Sequence, residues 1–183
     1  MAELSKVQFG LSRAYYSVLT NNTYGTPVAL PGAVSLTLNR EGSEPEKFYA
    51  DNITYFVAPA VNSGYTGTLT LAKVPASFGV DVLGEVVDDN GMQVEIADAN
   101  PKSFALLFQV DGDADEELYV LYNVTGTRPN IGSQTNEATK EPRTQSSDIT
   151  AIPLADGRVL ARTTADTPTA TKTGWFTTVF QES

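Results

Sequence analysis

Apolar and polar residues alternate along much of the chain, which is the pattern of half-buried β-strands. Within residues 64–71, Leu69 and Leu71 fall on one face and the intervening threonines fall on the other. Residues 33–38 alternate as strictly, with every second residue from Val34 onward apolar. Further strands are predicted at residues 11–20, 47–58, 149–154, 158–163 and 174–181.

Two segments break this alternation, because residues 103–110 and 116–124 are apolar at nearly every position. A strand of this kind is covered on both of its faces. The covering can come from the same chain, if the two strands lie at the centre of a sandwich, or from a second copy of the molecule. The residues alone leave both alternatives open.

The hydrophobic period changes after Pro75, where the apolar residues fall at Phe78, Val82 and Leu83 before Gly84. These spacings predict about two turns of helix that end at the glycine. Together with about ten short strands, they place the chain in the all-β class with one short helix, as a sandwich or barrel. The helix is expected to cover an open end of the sandwich, with its apolar side chains inward.

Two polar segments interrupt the strands. Residues 40–46 carry glycine and proline among charged residues, and they are predicted to form a hairpin tip within an extension spanning 39–50. Residues 125–148 contain a single large aliphatic side chain, so they cannot bury enough surface to become ordered alone. We expect residues 126–145 to form a mobile polar arm unless a partner holds them.

The 183-residue chain is long enough for one domain, 1–183, with a substantial core. Its net charge of −10 is concentrated in residues 81–117, which hold eleven acids and Lys102 as the only base. Because such a region repels polyanions, it disfavours ordinary nucleic-acid binding. The acidic stretch can equally serve as a solvated surface that promotes solubility.

The absence of cysteine and histidine excludes thiol chemistry and removes the commonest general base and metal ligand. Asp111, Asp113 and Asp115 have the initial spacing of a calcium loop, but Glu116 and Tyr122 stand where that loop requires glycine and glutamate. The sequence also lacks a nucleophile elbow and a phosphate-binding loop. We therefore expect no enzymatic activity, no cofactor and no specific metal site.

The N-terminal residues are too polar for a signal peptide, and no apolar run approaches the roughly 20 residues of a membrane helix. A soluble protein that stays in the cell that makes it is expected.

In order and spacing, seven segments resemble the major tail protein of long-tailed, non-contractile bacteriophages over about residues 6–181. They are VQFGLSRAYYSVL, LPGAVSLTLNREG, FYADNITYF, NSGYTGTLTLAKVPASFGVDVLGE, KSFALLFQV, LYVLYNVTGTRP and GWFTTVF. The resemblance implies a tail-tube β-sandwich flanked by one helix, six copies of which form a ring. It further implies that rings stack into a hollow tube through which the genomic DNA passes, with no catalytic residues.

On this interpretation, the partners are further copies of the chain and the tape measure, tail initiator and terminator proteins, and DNA is only passing cargo. The location is the virion, after assembly in the bacterial cytoplasm. The alternative hypothesis is a β-sandwich adhesin or ligand-binding module. The predicted contacts between subunits are Arg40, Glu41, Glu44, Glu46, Lys47, Arg128, Lys140 and Arg143. The acidic residues predicted to face the lumen are Asp88, Asp89, Asp111, Asp113, Asp115, Glu116 and Glu117.

Overall fold

The computed structural model describes residues 7–112, 115–133, 135 and 142–181 of the 183-residue chain. Lys140 and Asp113 lie outside the described residues. The strands are β1 (Gln8–Thr20), β2 (Thr23–Tyr24), β3 (Val28–Ala29), β4 (Ala33–Gly42), β5 (Glu46–Ala50), β6 (Ile53–Ala58), β7 (Asn62–Leu71), β8 (Val86–Val87), β9 (Gln93–Val94), β10 (Phe104–Gly112), β11 (Glu117–Gly126), β12 (Gln145–Ala151) and β13 (Leu160–Arg162). The two helices are α1 (Ala76–Asp81) and α2 (Thr169–Gly174).

One antiparallel nine-stranded sheet forms the body of the molecule, in the order β2-β1-β10-β11-β12-β7-β4. The two remaining strands are short, with β13 paired to β11 and β3 paired to β1. The sheet curls so that β1 and β4 approach each other, but no pairing between strands of the described residues closes it. Two further hairpins, β5–β6 and β8–β9, stand outside this sheet.

The centre of the sheet is β10 and β11, and both of its faces are buried. Phe104, Leu106 and Leu121 pack into a cluster on one face, while Leu107 and Val120 belong to a second cluster on the other. The second cluster is covered by the C-terminal segment of the same chain, including Trp175, Phe176 and Val179. Coverage within one chain is therefore the correct alternative for these two strands.

Helix α1 closes the first cluster at one end of the sheet, as the sequence predicts. Phe78, Val82 and Leu83 are fully buried, and Gly84 leaves the helix with a φ of +78°, a conformation that favours glycine. The hydroxyl of Tyr16 donates a hydrogen bond of 2.8 Å to Asp81 Oδ2, which joins the helix to β1.

The alternation in β7 is also confirmed, because Leu69 and Leu71 are buried and the threonines face outward. Thr68 donates a hydrogen bond to Asp148 on the neighbouring strand β12. Gly64 approaches β12 so closely that a Cβ there would lie 1.9 Å from the carbonyl oxygen of Ala151. Only glycine fits this position without movement of the backbone.

Four local predictions are wrong. Val34 is exposed, because a bulge between the paired positions Ala33 and Ser35 shifts the pattern of β4 by one residue. The predicted hairpin tip at 40–46 is instead the end of β4, a short loop and the start of β5. The single strand predicted at 47–58 is a hairpin of β5 and β6, with its turn at residues 51–52. The predicted strand at 174–181 is not formed, because Gly174 is the last residue of α2 and residues 175–181 form turns and irregular backbone.

The observed fold class is mostly β-sheet with two short helices, in agreement with the all-β prediction and with one helix more than expected. The tie of the C-terminal segment to the core is also as expected, since Trp175 is buried and its indole N–H donates to the carbonyl oxygen of Tyr119 at 3.3 Å. Neither helix in the described part of the chain has the length and apolar character needed to cross a membrane.

Candidate assembly surfaces

The hairpin β5–β6 forms a two-stranded sheet of its own, and we call residues 46–58 the aromatic hairpin. Its strands pair from Glu46–Ala58 to Ala50–Ile53. The two turn residues, Asp51 and Asn52, have positive φ values of 52° and 62°. This is the backbone that a two-residue turn of the primed type requires.

Six large apolar or aromatic side chains of the aromatic hairpin are exposed. They are Phe48 (61%), Tyr49 (60%), Ile53 (62%), Tyr55 (70%), Phe56 (60%) and Val57 (46%). Phe48 and Phe56 are cross-strand partners, so their rings lie on one face of the hairpin. Exposed apolar patches of this extent mark interaction sites in soluble proteins.

A groove of about 820 Å³ lies beside α1, and we call it the helix-side groove. Its apolar lining includes Val74, Pro75, Ala76, Leu83, Pro129 and Ile131. Charged side chains also line it, namely Lys73, Glu85, Glu95 and Arg128.

Arg128 holds the start of the polar arm against the wall of this groove. Its Nε lies 2.9 Å from Glu95 Oε1, and its Nη2 donates a hydrogen bond of 2.7 Å to the carbonyl oxygen of Ile96. Ile131 follows three residues later and is 90% exposed. The groove therefore has a fixed polar rim and an apolar side chain that no described residue covers.

The aromatic hairpin and the helix-side groove lie at opposite ends of one strand pair. Strands β4 and β7 run antiparallel from the pair Ala33–Leu71 to the pair Gly42–Asn62. The hairpin connects the second end, while the groove residues Gly32 and Ala72 lie directly beyond the first. Ten residues of strand separate the two surfaces by roughly 30 Å.

The predicted contact residues divide between these two ends. Those at 40–47 lie on the last residues of β4, on β5 and on the loop between them, next to the aromatic hairpin. Arg128 lies at the groove, and Arg143 lies just before β12 begins, on the groove side, since Gln145 pairs with Leu71. The charged residues predicted together as subunit contacts therefore lie on two separate surfaces.

The acidic candidates are divided as well. Asp88 and Asp89 lie at the β8–β9 turn on the side of α1, while Asp111 and the acids at 115–117 lie at the other end of β10. Strand β10 is nine residues long, so the acidic stretch is not a single patch.

Local hydrogen bonds hold two of these carboxylates in their charged form. The backbone N–H groups of Met92 and Asn90 donate to Asp88 and lower its pKa, with the Met92 bond contributing most. Lys172 on α2 lies 2.5 Å from Asp115 and lowers the pKa of that carboxyl. Since this carboxylate is already paired, it is poorly placed to serve as a calcium ligand.

Within the described ranges, no three acidic side chains are grouped so that they could hold a metal ion. The calcium-loop pattern includes Asp113, which lies outside those ranges.

The aromatic hairpin is not among the predicted contact surfaces, although the sequence carries a signal for it. Residues 53–57 are apolar or aromatic apart from Thr54, and the preceding pair Asp51-Asn52 consists of two residue types that favour turns. The helix-side groove has no comparable signal, because its lining comes from segments between Pro31 and Gln145 that only the fold brings together.

The chain is similar to a known protein family and to solved structures. A family model described as "Phage tail tube protein" matches residues 13–174. Among solved structures, the chain is similar to the anti-feeding prophage cap, a tube-terminating cap determined by cryo-EM. That likeness has 13% sequence identity and a TM-score of 0.47, over 90% of this chain and 97% of that chain. No curated protein sequence matches the chain.

Proposed function

The chain belongs to the phage tail tube protein family, and we propose that it is the major tail protein of a long-tailed, non-contractile phage. Family membership makes it a structural component of the tail and of the virion, one that assembles with copies of itself and with other tail proteins. The finer proposal is that six copies form a ring and that rings stack into the hollow tube through which DNA is delivered.

The observation that supports this proposal most directly is the exposed aromatic hairpin. A two-stranded hairpin is at best marginally stable on its own, and this one leaves its apolar side chains in water. Such a surface is costly for a solitary protein and useful for one whose neighbours cover it. The core needs no such help, because both faces of β10 and β11 are covered within the chain.

A ring or a stack of identical subunits uses heterologous contacts, in which two different surfaces of each copy meet. The described residues provide two unlike surfaces, the protruding hairpin and the helix-side groove. Among the described strands β4 pairs with β7 alone, so this edge of the main sheet is a further surface that strand pairing across subunits can close.

We propose that one of the two acidic clusters faces the bore. Carboxylates repel the duplex from the wall, whereas lysine and arginine would bind phosphates and release counterions. In this arrangement DNA slides through the tube as cargo. A tube whose bore carries a net basic charge, with both clusters on its outer wall, would contradict this part of the proposal.

The experiment that tests the proposed function is electron microscopy of the purified protein across a concentration series. Rings and hollow filaments are expected at high concentration, with image averaging to give the symmetry. Addition of the tail initiator protein of the same phage should lower the concentration at which filaments appear. A protein that stays monomeric at every concentration, with and without the initiator, would refute a tube-forming role.

A further inference from the structure

The pair Asn90-Gly91 is the only asparagine–glycine pair in the chain, and both residues are exposed in the turn between β8 and β9. Glycine carries no side chain, so its amide nitrogen is the least hindered nucleophile that can follow an asparagine. We propose that Asn90 is a site of slow deamidation and that the carboxylate of Asp88 retards the reaction by holding the turn closed. The inference is independent of the proposed function, since it concerns one turn of the folded chain.

The reaction joins two groups within this turn. The amide nitrogen of Gly91 forms a bond with Cγ of Asn90, the bond from Cγ to Nδ2 breaks, and ammonia leaves with the proton of the Gly91 amide. Water then opens the resulting succinimide ring at one of its two carbonyl carbons. The product at position 90 is aspartate or isoaspartate, and water is the only co-reactant.

The backbone of the turn keeps the Gly91 nitrogen engaged. Its N–H donates a hydrogen bond of 2.9 Å to the carbonyl oxygen of Asp88, whose own N–H donates one of 2.9 Å to the carbonyl oxygen of Met92. With a φ of +79° at Gly91, this is the pattern of a three-residue hairpin loop. While the loop is closed, the nitrogen cannot release its proton and turn toward Cγ of Asn90.

The Asp88 side chain braces the same loop. Its Oδ1 accepts hydrogen bonds from the backbone N–H groups of Asn90 at 2.9 Å and Met92 at 2.7 Å, the residues on either side of Gly91. Its Oδ2 accepts a longer bond of 3.4 Å from Nδ2 of Asn90. The bond from Met92 contributes most to lowering the pKa of this carboxyl, which is therefore charged at neutral pH and a strong acceptor.

The reaction requires the loop to open, and its surroundings allow this. Strands β8 and β9 have two residues each and stand outside the main sheet, so they are expected to open locally without unfolding of the core. Both products add a carboxylate beside Asp88. Isoaspartate also lengthens the main chain by one methylene, so the pairs Val86–Val94 and Val87–Gln93 would lose their register.

The experiment follows residue 90 by peptide mass spectrometry in the full chain, incubated at neutral pH either folded or in urea. Folded Asp88→Ala should deamidate about tenfold faster than the folded wild type, because two backbone hydrogen bonds that close the loop are lost. Asp88→Asn should restore most of the protection, since its amide oxygen can accept the same two bonds. The matched control is Asp89→Ala, because Asp89 is exposed and takes part in none of the bonds described above.

In urea the variants should react at one common rate, faster than the folded wild type. Asn52 provides an internal reference, because it also lies in an exposed hairpin turn but is followed by the β-branched Ile53, which shields its amide nitrogen. No conversion at Asn90 in urea, or conversion no faster than at Asn52, would overturn the site. Equal rates in the folded and unfolded wild type would overturn the protection. Folded Asp88→Ala that reacts as the wild type does, or Asp88→Asn that reacts as fast as Asp88→Ala, would overturn the role of the carboxylate.

Discussion

The strand pair β10–β11 and the aromatic hairpin β5–β6 are both rich in large apolar side chains, yet their environments are opposite. From Phe104 to Phe108 every residue of β10 is buried, whereas every residue from Asp51 to Val57 in the hairpin is exposed. The two regions differ in whether other elements of the chain cover their apolar side chains. One face of β10 is closed by α1 and the other by the C-terminal segment, whereas no described element covers the hairpin in the same way.

This contrast shows that apolar content alone does not assign a strand to the core of a subunit. The stability of the folded chain and the stability of the assembly therefore depend on different regions of the molecule. Substitutions in β10 should act on the first, and substitutions in the hairpin should act on the second.

The largest effect is expected at the core. Phe104→Ala removes a fully buried ring that packs edge-on against Phe78 at 5.4 Å. We expect a loss of about 3–5 kcal/mol in the free energy of unfolding. The matched variant Phe56→Ala in the hairpin should change it by less than about 0.5 kcal/mol. Urea unfolding of the two monomeric variants measures these changes in the free energy of unfolding. Equal losses in the two variants would contradict the predicted difference.

The hairpin should dominate when assembly is measured instead. The double variant Phe48→Ser/Phe56→Ser removes both rings from one face of the hairpin, and we expect the filament threshold concentration to rise at least tenfold because apolar contact area is lost. The monomer should unfold as the wild type does. The control is Thr54→Ser, since Thr54 pairs with Tyr49 on the other face. Unchanged assembly of the double serine variant would refute the role of this face.

An intermediate effect is expected where α1 joins the sheet. Burial, together with the hydrogen bond to Asp81, raises the pKa of Tyr16 to about 12, and burial likewise raises that of Tyr24 to about 12. The folded state therefore favours the neutral phenols, so their contribution is fully present below pH 10, the pKa of an unperturbed tyrosine, and is lost as the pH rises through about 12.

The free energy of unfolding, measured from pH 9 to 12, should decline in this way. In the Tyr16→Phe variant it should decline less steeply with pH. The same variant should cost about 1 kcal/mol at pH 7, because the hydrogen bond of 2.8 Å to Asp81 is lost. A slope that is identical in Tyr16→Phe would show that this phenol does not contribute.

The smallest effect is expected at the surface pair of Asp115 and Lys172. Lys172→Met should cost less than about 1 kcal/mol at low salt, and the cost should shrink as salt screens the pair. Because Lys172 lowers the pKa of Asp115, its contribution is present above the ordinary pKa of that carboxyl and is lost as the pH falls through the lowered value. Titration of the carboxyl followed by NMR should show its pKa rise in the variant. An unchanged pKa would contradict the pairing.

Much of the fold could be predicted because the signals were local. The alternation of β7, the apolar spacing after Pro75 and the burial of Trp175 all follow from side-chain periodicity or size, and the structure agrees at each. The errors come from features without such a period. A bulge turns the Val34 side chain to the exposed face of β4. Residues 175–181, where a strand is predicted, form turns and irregular backbone after α2.

The candidate surfaces were less predictable for a physical reason. The predicted subunit contacts are charged residues in polar segments, whereas the hairpin beside them presents aromatic rings of the kind that usually pack in a core. Whether a ring is core or surface depends on a covering element that is distant in sequence. The acidic stretch is likewise continuous in sequence, but β10 carries its two halves to opposite ends of the sheet.

The sequence by itself determined the all-β class, the short helix after Pro75, the two central strands and the family resemblance, because each depends on local patterns of polarity and size. Only the tertiary structure decided that the chain covers its own central strands and leaves the hairpin uncovered, and that hairpin and groove lie at opposite ends of β4–β7. These properties depend on the register between strands that are far apart in sequence, and no local pattern encodes that register directly.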